Sequence, residues 1–347
     1  MEELRYHLHL FDNTQKTTSS DLSDEMKVFY SNYLITYAEP EMVHDQFGQK
    51  QNIPKNGGKT IEFRKYTPLA KAKTPLTEGV TPSGNSLKVK TITSTVAQYG
   101  DYIELSDMLM LTAIDNNMLQ ATELLGSQAG RTSDWITKEV ISAGTNVLFA
   151  NGKLQRSALT KTDTLAVADI RNAVRVLRNM NAKPFADGYY VGIISPDVAY
   201  ALMGDQDWVN AAHYGAPDQL FKGEIGRIHG VRFVQTTEAK VFAQAGASSA
   251  DVNSTLILGQ NAYGVTSIDG GGLEHFVKQL GSSGTADPLN QRATVGWKLT
   301  KTAEILVDPY MVRIESGSPY TTGEDAWETA IMGNAQYTHN YTAPTGA

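Results

Sequence analysis

Seven histidines and no cysteine limit the chemistry open to this 347-residue chain. His7 and His9, in "YHLHL", stand two apart and share one face of a strand; two imidazoles without a third ligand are an incomplete metal site. His44 precedes Asp45 at the end of a helical pattern, and His229 falls in an expected strand. Each suits a local hydrogen bond. Gly270, Gly271 and Gly272 in "IDGGGLEHF" are not followed by Gly-Lys-Ser or Gly-Lys-Thr, so they read as a loop and not as a phosphate cradle. Glu324, Asp325 and Glu328 read as a solvated acidic face. There is no G-x-S-x-G elbow, no Walker A loop and no G-x-G-x-x-G after a strand. Lack of cysteine excludes disulfides, thiolate metal sites and thiol nucleophiles. The expectation is therefore a non-enzymatic protein with no catalytic, cofactor-binding or metal residues and no cofactor.

Charge is the stronger signal. Between Lys50 and Lys90 stand nine basic residues and two acids, a local charge of +7 in a chain of net −7, which leaves −14 for the rest. A basic arm on an acidic body can dock on the body of a neighbouring copy, where complementary charge steers encounter and fixes register. Nucleic acid is the rival partner. Phe63 and Tyr66 stand at the start of the arm, but no aromatic lies between Thr67 and Gln98 to stack on bases, and the overall negative charge opposes phosphate binding.

The elements that would carry this arm can be read from pattern. "SSDLSDEMKVFYSNYLITYAEP" predicts a short helix capped by Ser20 or Asp21 and ended by Pro40, with Met26, Phe29, Tyr30, Tyr33 and Tyr37 in one stripe. "TIEFRKY" alternates as a strand, with Ile61, Phe63 and Lys65 on one face. A Pro/Gly-rich stretch follows, and then extended structure from Leu87 to about Ile103. About eighteen such residues would span roughly 60 Å, well beyond an ordinary strand. Ser106 caps a helical pattern running to about Ala143 through Leu111, Ile114, Met118, Ala121, Leu125, Ala129, Ile136 and Val140, roughly 55 Å if continuous, with Gly126 and Gly130 as points of bending or close packing. From Thr164 the pattern becomes compact α/β: an amphipathic helix through Val167, Ile170, Val174 and Leu177, a buried strand "GYYVGIIS", a helix opening at Pro196, and strands in "GRIHGVRFVQT", "STLILG" and "RATVGWKLTKTAEILVDPYMVRIES". No apolar run is long enough for a membrane span, no signal peptide is evident, and no fixed-period repeat occurs.

Taken in order, "LSDEMKVFY", "AEPEMVHDQFGQKQNIPKNGGKTIEFRKY", "TPLTEGVTP", "YGDYIELSD", "FKGEIGRIHGVRFVQT", "LILGQNAYGV" and "DPLNQRATVGWKLTKTAEILVDPYMVRIES" cover the chain from about Leu22 to Ser316. In number and order they resemble tailed-bacteriophage major capsid proteins of the Hong Kong 97-type fold, most closely the phage N4-like coat protein family. The resemblance implies an α+β chain with an N-terminal arm (1–51), an extended β-hairpin loop (52–103), a peripheral domain with a long spine helix (104–163), a compact α/β axial domain (164–271), return strands of the peripheral domain (272–320) and a C-terminal tail (321–347).

It further implies a structural subunit that self-assembles into an icosahedral shell of hexameric and pentameric capsomers. That shell would enclose double-stranded phage DNA without sequence-specific binding and without a membrane. Scaffolding, decoration and portal proteins are the additional partners it allows. The expected location is the virion, with assembly in the host cytoplasm. The loop would lie across the next copy, and the residues expected at that contact are Lys55, Lys59, Arg64, Lys71, Lys73, Glu78, Lys88 and Lys90, joined by Met26, Phe29 and Tyr33 in the N-terminal stripe. An encapsulin-like compartment shell and, further off, a nucleic-acid-binding protein using the basic arm are the alternatives.

Overall fold

The computed structural model describes residues 34, 42–76, 78–79, 81, 84–112, 116–209, 226–269, 271–282 and 287–320. The expected N-terminal helix, apart from a buried Leu34, lies outside them, as do His7, His9, Gly270, Glu324, Asp325 and Glu328. In chain order the strands are β1 (Gln49–Lys50), β2 (Thr60–Tyr66), β3 (Val89–Thr95), β4 (Ala97–Ser106), β5 (Val147–Phe149), β6 (Tyr190–Ile194) and β7 (Arg227–Ile228). They continue with β8 (Val231–Gln235), β9 (Val241–Phe242), β10 (Val252–Leu258), β11 (Tyr263–Ser267), β12 (Glu274–Lys278), β13 (Arg292–Ile305) and β14 (Met311–Ser316). The helices are α1 (Asp107–Thr112), α2 (Asn117–Ser142), α3 (Val167–Asn179) and α4 (Pro196–Met203). The chain divides into two units. Among the described residues, one holds 98–130 and 273–299 with Leu34, and the other holds 42–97, 131–272 and 300–320.

In the larger unit a seven-stranded sheet runs β5-β14-β10-β6-β8-β7, with β9 also on β10. The pairs β5–β14 and β6–β8 are parallel and the others antiparallel. Every residue of β6, β10 and β14 is buried. The cause is cover on both faces. Tyr190, Ile194, Phe233, Ile257, Val312 and Ile314 pack with α3 and α4, through Ile170, Val174, Leu177 and Leu202. On the other face Val191, Ile193, Leu256, Leu258 and Met311 pack with Ile141 and Tyr263. A strand buried on both faces reads as an unbroken apolar run, which is how "YYVGII" reads. Gly192 is required there, because a Cβ would meet the Phe233 ring at 2.7 Å. The α3 stripe is buried as expected, and the Ser195 hydroxyl accepts the Val198 N–H at 3.4 Å to start α4 with Pro196 in its first turn.

The charged side chains of β14, Arg313 and Glu315, are paired. Glu315 is fully buried and accepts from Arg156 Nε (2.7 Å), Arg156 Nη2 (2.6 Å) and Arg313 Nε (2.9 Å). The Arg156 guanidinium also lies 3.5 Å from the centre of the Phe242 ring.

In the smaller unit the first part of β13 pairs with β12, from Glu274 opposite Lys298 to Lys278 opposite Thr294. β4 also pairs with β13. Their apolar side, with Leu105, Ala293, Val295, Trp297 and Leu299, packs on Met118, Leu125 and Ala129 of α2. Trp297 Nε1 donates to Gln128 Oε1 (3.1 Å), whose amide nitrogen donates to Asp101 (2.7 Å).

Three expectations are corrected. The extended stretch after Leu87 is two strands, β3 and β4, because Val96 is buried, donates its N–H to the Lys59 carbonyl (2.9 Å) and redirects the chain from pairing with β2 to pairing with β13. The helix from Ser106 is divided. Ser106 does cap α1, accepting the Leu109 N–H at 3.3 Å, but Asn116 restarts the helix by accepting the Leu119 N–H on its side chain at 3.3 Å. The 26 residues of α2 span roughly 39 Å and run unbroken through buried Gly126 and Gly130. Leu111, expected in the stripe, is exposed. His229 is not in a strand: with φ of 49° it shares with Gly230, φ 84°, the tight turn between β7 and β8.

Candidate assembly interface

The basic arm begins as a hairpin. β2 pairs antiparallel with β3 from Thr60 opposite Thr95 to Tyr66 opposite Val89, and the Thr67 N–H extends the ladder to the Lys88 carbonyl (2.9 Å). Alternation in "TIEFRKY" turns Ile61 and Phe63 inward, where they pack with Val96, Ile92, Ile53, Ile268 and Leu306 of the same chain. Ser94, opposite Ile61, is within 2.9 Å of the Thr302 hydroxyl. Ile53 and β1 pair in parallel with the β11 segment, so the residues leading into the hairpin are fixed to the same unit.

Past the root the face changes character. Lys65, which continues the line of Ile61 and Phe63, is exposed, and its cross-strand neighbour is Lys90. From Thr67 to Lys88 the described residues form no strand or helix and are all exposed. Apolar side chains are among them: Leu69, Leu76 (78 % exposed) and Leu87 (68 % exposed), with Tyr66 and Val89 at the hairpin end. These leucines give the irregular stretch an exposed apolar character among its lysines.

All eight residues expected at the loop contact are exposed. Lys55 and Lys59 sit in the turn before β2, Arg64 on its outward face 3.8 Å from Glu62, Lys90 on β3, and Lys71, Lys73, Glu78 and Lys88 in the irregular stretch. Met26, Phe29 and Tyr33 lie outside the described residues.

Two features escaped the sequence reading. Helix α1, "DMLMLT", exposes Met108, Leu109, Met110 and Leu111 together. A run of four apolar residues all facing water was the available signal. The second is a buried polar cluster in the larger unit. His44 donates its N–H to Asp134 Oδ1 (2.6 Å), and its Nδ1 lies 2.5 Å from Asp134 Oδ2. Asp45 accepts from Ser133 Oγ (2.8 Å), from Thr137 and from Lys301, whose ammonium also reaches the Ser133 carbonyl (2.8 Å). The Tyr263 hydroxyl donates to the His44 carbonyl. Burial holds Lys301 below its usual pKa against the pull of Asp45, and pushes Tyr263 well up, helped by Asp45 and Asp134. This cluster ties the segment before β1 to α2 and β13 across some ninety to two hundred and fifty residues of sequence. Its signal was the group of polar residues Ser133, Asp134, Thr137 and Lys138 in the second half of a long helix, all of them buried.

Among the described residues no group of three or more histidine or carboxylate side chains is placed to hold a metal ion, and no helix is long and apolar enough to cross a membrane.

The fold is that of phage capsid subunits. The capsid of Ralstonia phage GP4 superposes with a TM-score of 0.65 at 17 % identity, over 88 % of this chain and 96 % of that one. The cyanophage Pam1 capsid gives 0.63 at 14 % identity, over 92 % and 99 %. The capsid of cyanophage P-SCSP1u gives 0.61 at 13 % identity, over 80 % and 88 %. The model of a family described as phage capsid protein matches residues 101–285, more than half of the sequence, and the chain belongs to that family. No curated protein matches it. The protein is thus a structural capsid component and not an enzyme. Neither an encapsulin-like compartment nor a nucleic-acid-binding role is favoured by these matches.

Proposed function

We propose that this chain is the major capsid protein of a tailed phage of the N4-like type, built on the Hong Kong 97-type plan. Copies close into an icosahedral shell of hexameric and pentameric capsomers around a double-stranded DNA genome. In this reading 1–51 is the N-terminal arm, 52–103 the extended loop, 104–163 the peripheral domain with its spine helix, 164–271 the axial domain, 272–320 the returning peripheral strands and 321–347 the tail. Scaffolding, decoration and portal proteins join it, and assembly takes place in the host cytoplasm.

One observation carries the reading: a hairpin anchored at its root in its own chain, whose remaining length presents leucines and lysines to solvent. Such an arm is stable where it leaves the body and is finished by a surface it does not itself contain. The loop contact is made by Lys55, Lys59, Arg64, Lys71, Lys73, Glu78, Lys88 and Lys90, and a second contact by Met26, Phe29 and Tyr33. Each contact is weak alone. In a closed lattice each copy is held by several neighbours at once, so modest contacts sum to a stable shell.

Negative-stain electron microscopy of the chain co-expressed with its neighbouring genes tests this. Closed shells are expected. A chain that stays monomeric under those conditions overturns the proposal.

A further inference from the structure

We infer that Lys65 and Lys90 form a binding site for a carboxylate presented by a second copy of this chain. The inference rests on the shell-subunit reading and names the chemistry of one of its contacts. The hairpin register sets Lys65 directly opposite Lys90, on the face that carries Phe63 with Ile92 and, nearer the root, Ile61 with Ser94. Like charges directly opposite one another weaken a strand pair. An acid at either position would relieve the conflict, yet the hairpin's one acid, Glu62, is on the outward face beside Arg64. Among the described residues neither lysine has an acidic partner. A local conflict kept inside an otherwise consistent element marks a function made elsewhere.

The surroundings say what resolves it. Beside the hairpin a cleft of about 310 Å³ is lined by Lys65 together with Phe63, Arg64, Tyr66 and Ile92, and Lys90 stands next to it across the strand pair. Phe63, Ile92 and Leu306 are its apolar lining residues, and Lys65, Arg64, Gln49 and Asn261 are lining residues able to donate hydrogen bonds. Cationic and amide donors over an apolar floor fit an aspartate or glutamate side chain. The chain outside the Lys50–Lys90 segment carries a net charge of −14, so a second copy supplies such groups in excess. DNA is the competing anion, but from Thr67 to Gln98 the arm has no aromatic side chain on which bases could stack.

The test uses full-length chain. Shells are assembled from a mixture of ¹⁵N-labelled and unlabelled subunits, treated with a carbodiimide that joins touching amines and carboxylates, and digested for mass spectrometry. Peptides joining Lys65 or Lys90 of one isotope to an aspartate or glutamate of the other are expected. Lys65 and Lys90 unreactive, or joined only within one chain, while other shell lysines crosslink between chains, overturns the site.

Lys65→Glu sharpens the result, because it pairs an acid with Lys90 inside the free hairpin. The unassembled variant should melt at or above the wild-type temperature while its shell yield falls about tenfold. An unchanged yield overturns the inference, and so do normal shells that merely hold less DNA. Lys90→Glu poses the same question from the other strand if the first variant does not fold. If wild-type chain forms no shells at all, the shell reading itself fails, a result distinct from any of these.

Discussion

At the root of the hairpin Ile61 and Phe63 are covered by their own chain, and two residues further along the same face Lys65 and Lys90 are left opposite each other in water. The body of the protein treats charge in the contrary way. Glu315 has no exposure and is held by two arginines; Lys301 is buried against a half-buried Asp45. The contrast teaches where the molecule is complete. The buried charges of Glu315 and Lys301 are matched within the chain, because an unmatched one would be expensive there. On the arm the leucines and the Lys65–Lys90 pair are left to solvent, and in the proposed shell a second copy covers them.

The largest expected effect lies in the body. Glu315→Ala leaves Arg156 and Arg313 without their shared carboxylate and should destabilise the unassembled chain by about 3–5 kcal/mol, read by denaturant unfolding. A loss under about 1 kcal/mol would mean that these arginines reach water, and the contrast would weaken.

Phe63→Ala should come next. Removing a buried phenyl ring from the root costs about 3 kcal/mol. Because the root is small, the damage should be local, with faster amide exchange in β2 and β3 and little change in β10.

A smaller effect concerns His275, whose pKa burial lowers to about 4. Between pH 6.5 and about 4 the unfolded chain takes up a proton that the folded chain refuses. Stability should therefore be whole at neutral pH and fall as pH drops through that window. An NMR titration placing the imidazole near 6.5 would remove this contribution.

The smallest effect on stability should come with the largest on assembly. Deleting Leu69 to Ser86 should shift the unfolding free energy of the unassembled chain by less than about 0.5 kcal/mol and abolish shells. Normal particles from this variant would show that the arm plays no part in assembly.

The sequence revealed more of the body than of the contacts. Strands covered on both faces left unbroken apolar runs, and α3 left a clean stripe at Val167, Ile170, Val174 and Leu177, because burial acts on each residue separately. The alternation of Ile61 and Phe63 likewise announced the hairpin root. What pattern did not carry was pairing at a distance. Nothing local tells β3 to leave β2 at Val96, and His44 and Asp45 looked like residues with neighbours nearby until α2 and β13 supplied Asp134 and Lys301. Nor did composition alone expose the Lys65–Lys90 conflict. It showed a basic arm, but only the register puts the two ammonium groups opposite each other.

The most direct measurement is hydrogen–deuterium exchange across Leu69 to Lys88, compared between the unassembled chain and the assembled shell. If a neighbouring copy covers the arm, these amides exchange freely in the first and are strongly protected in the second, while β10 and β14 stay protected in both. Equal, rapid exchange of the arm in the two states would contradict the account.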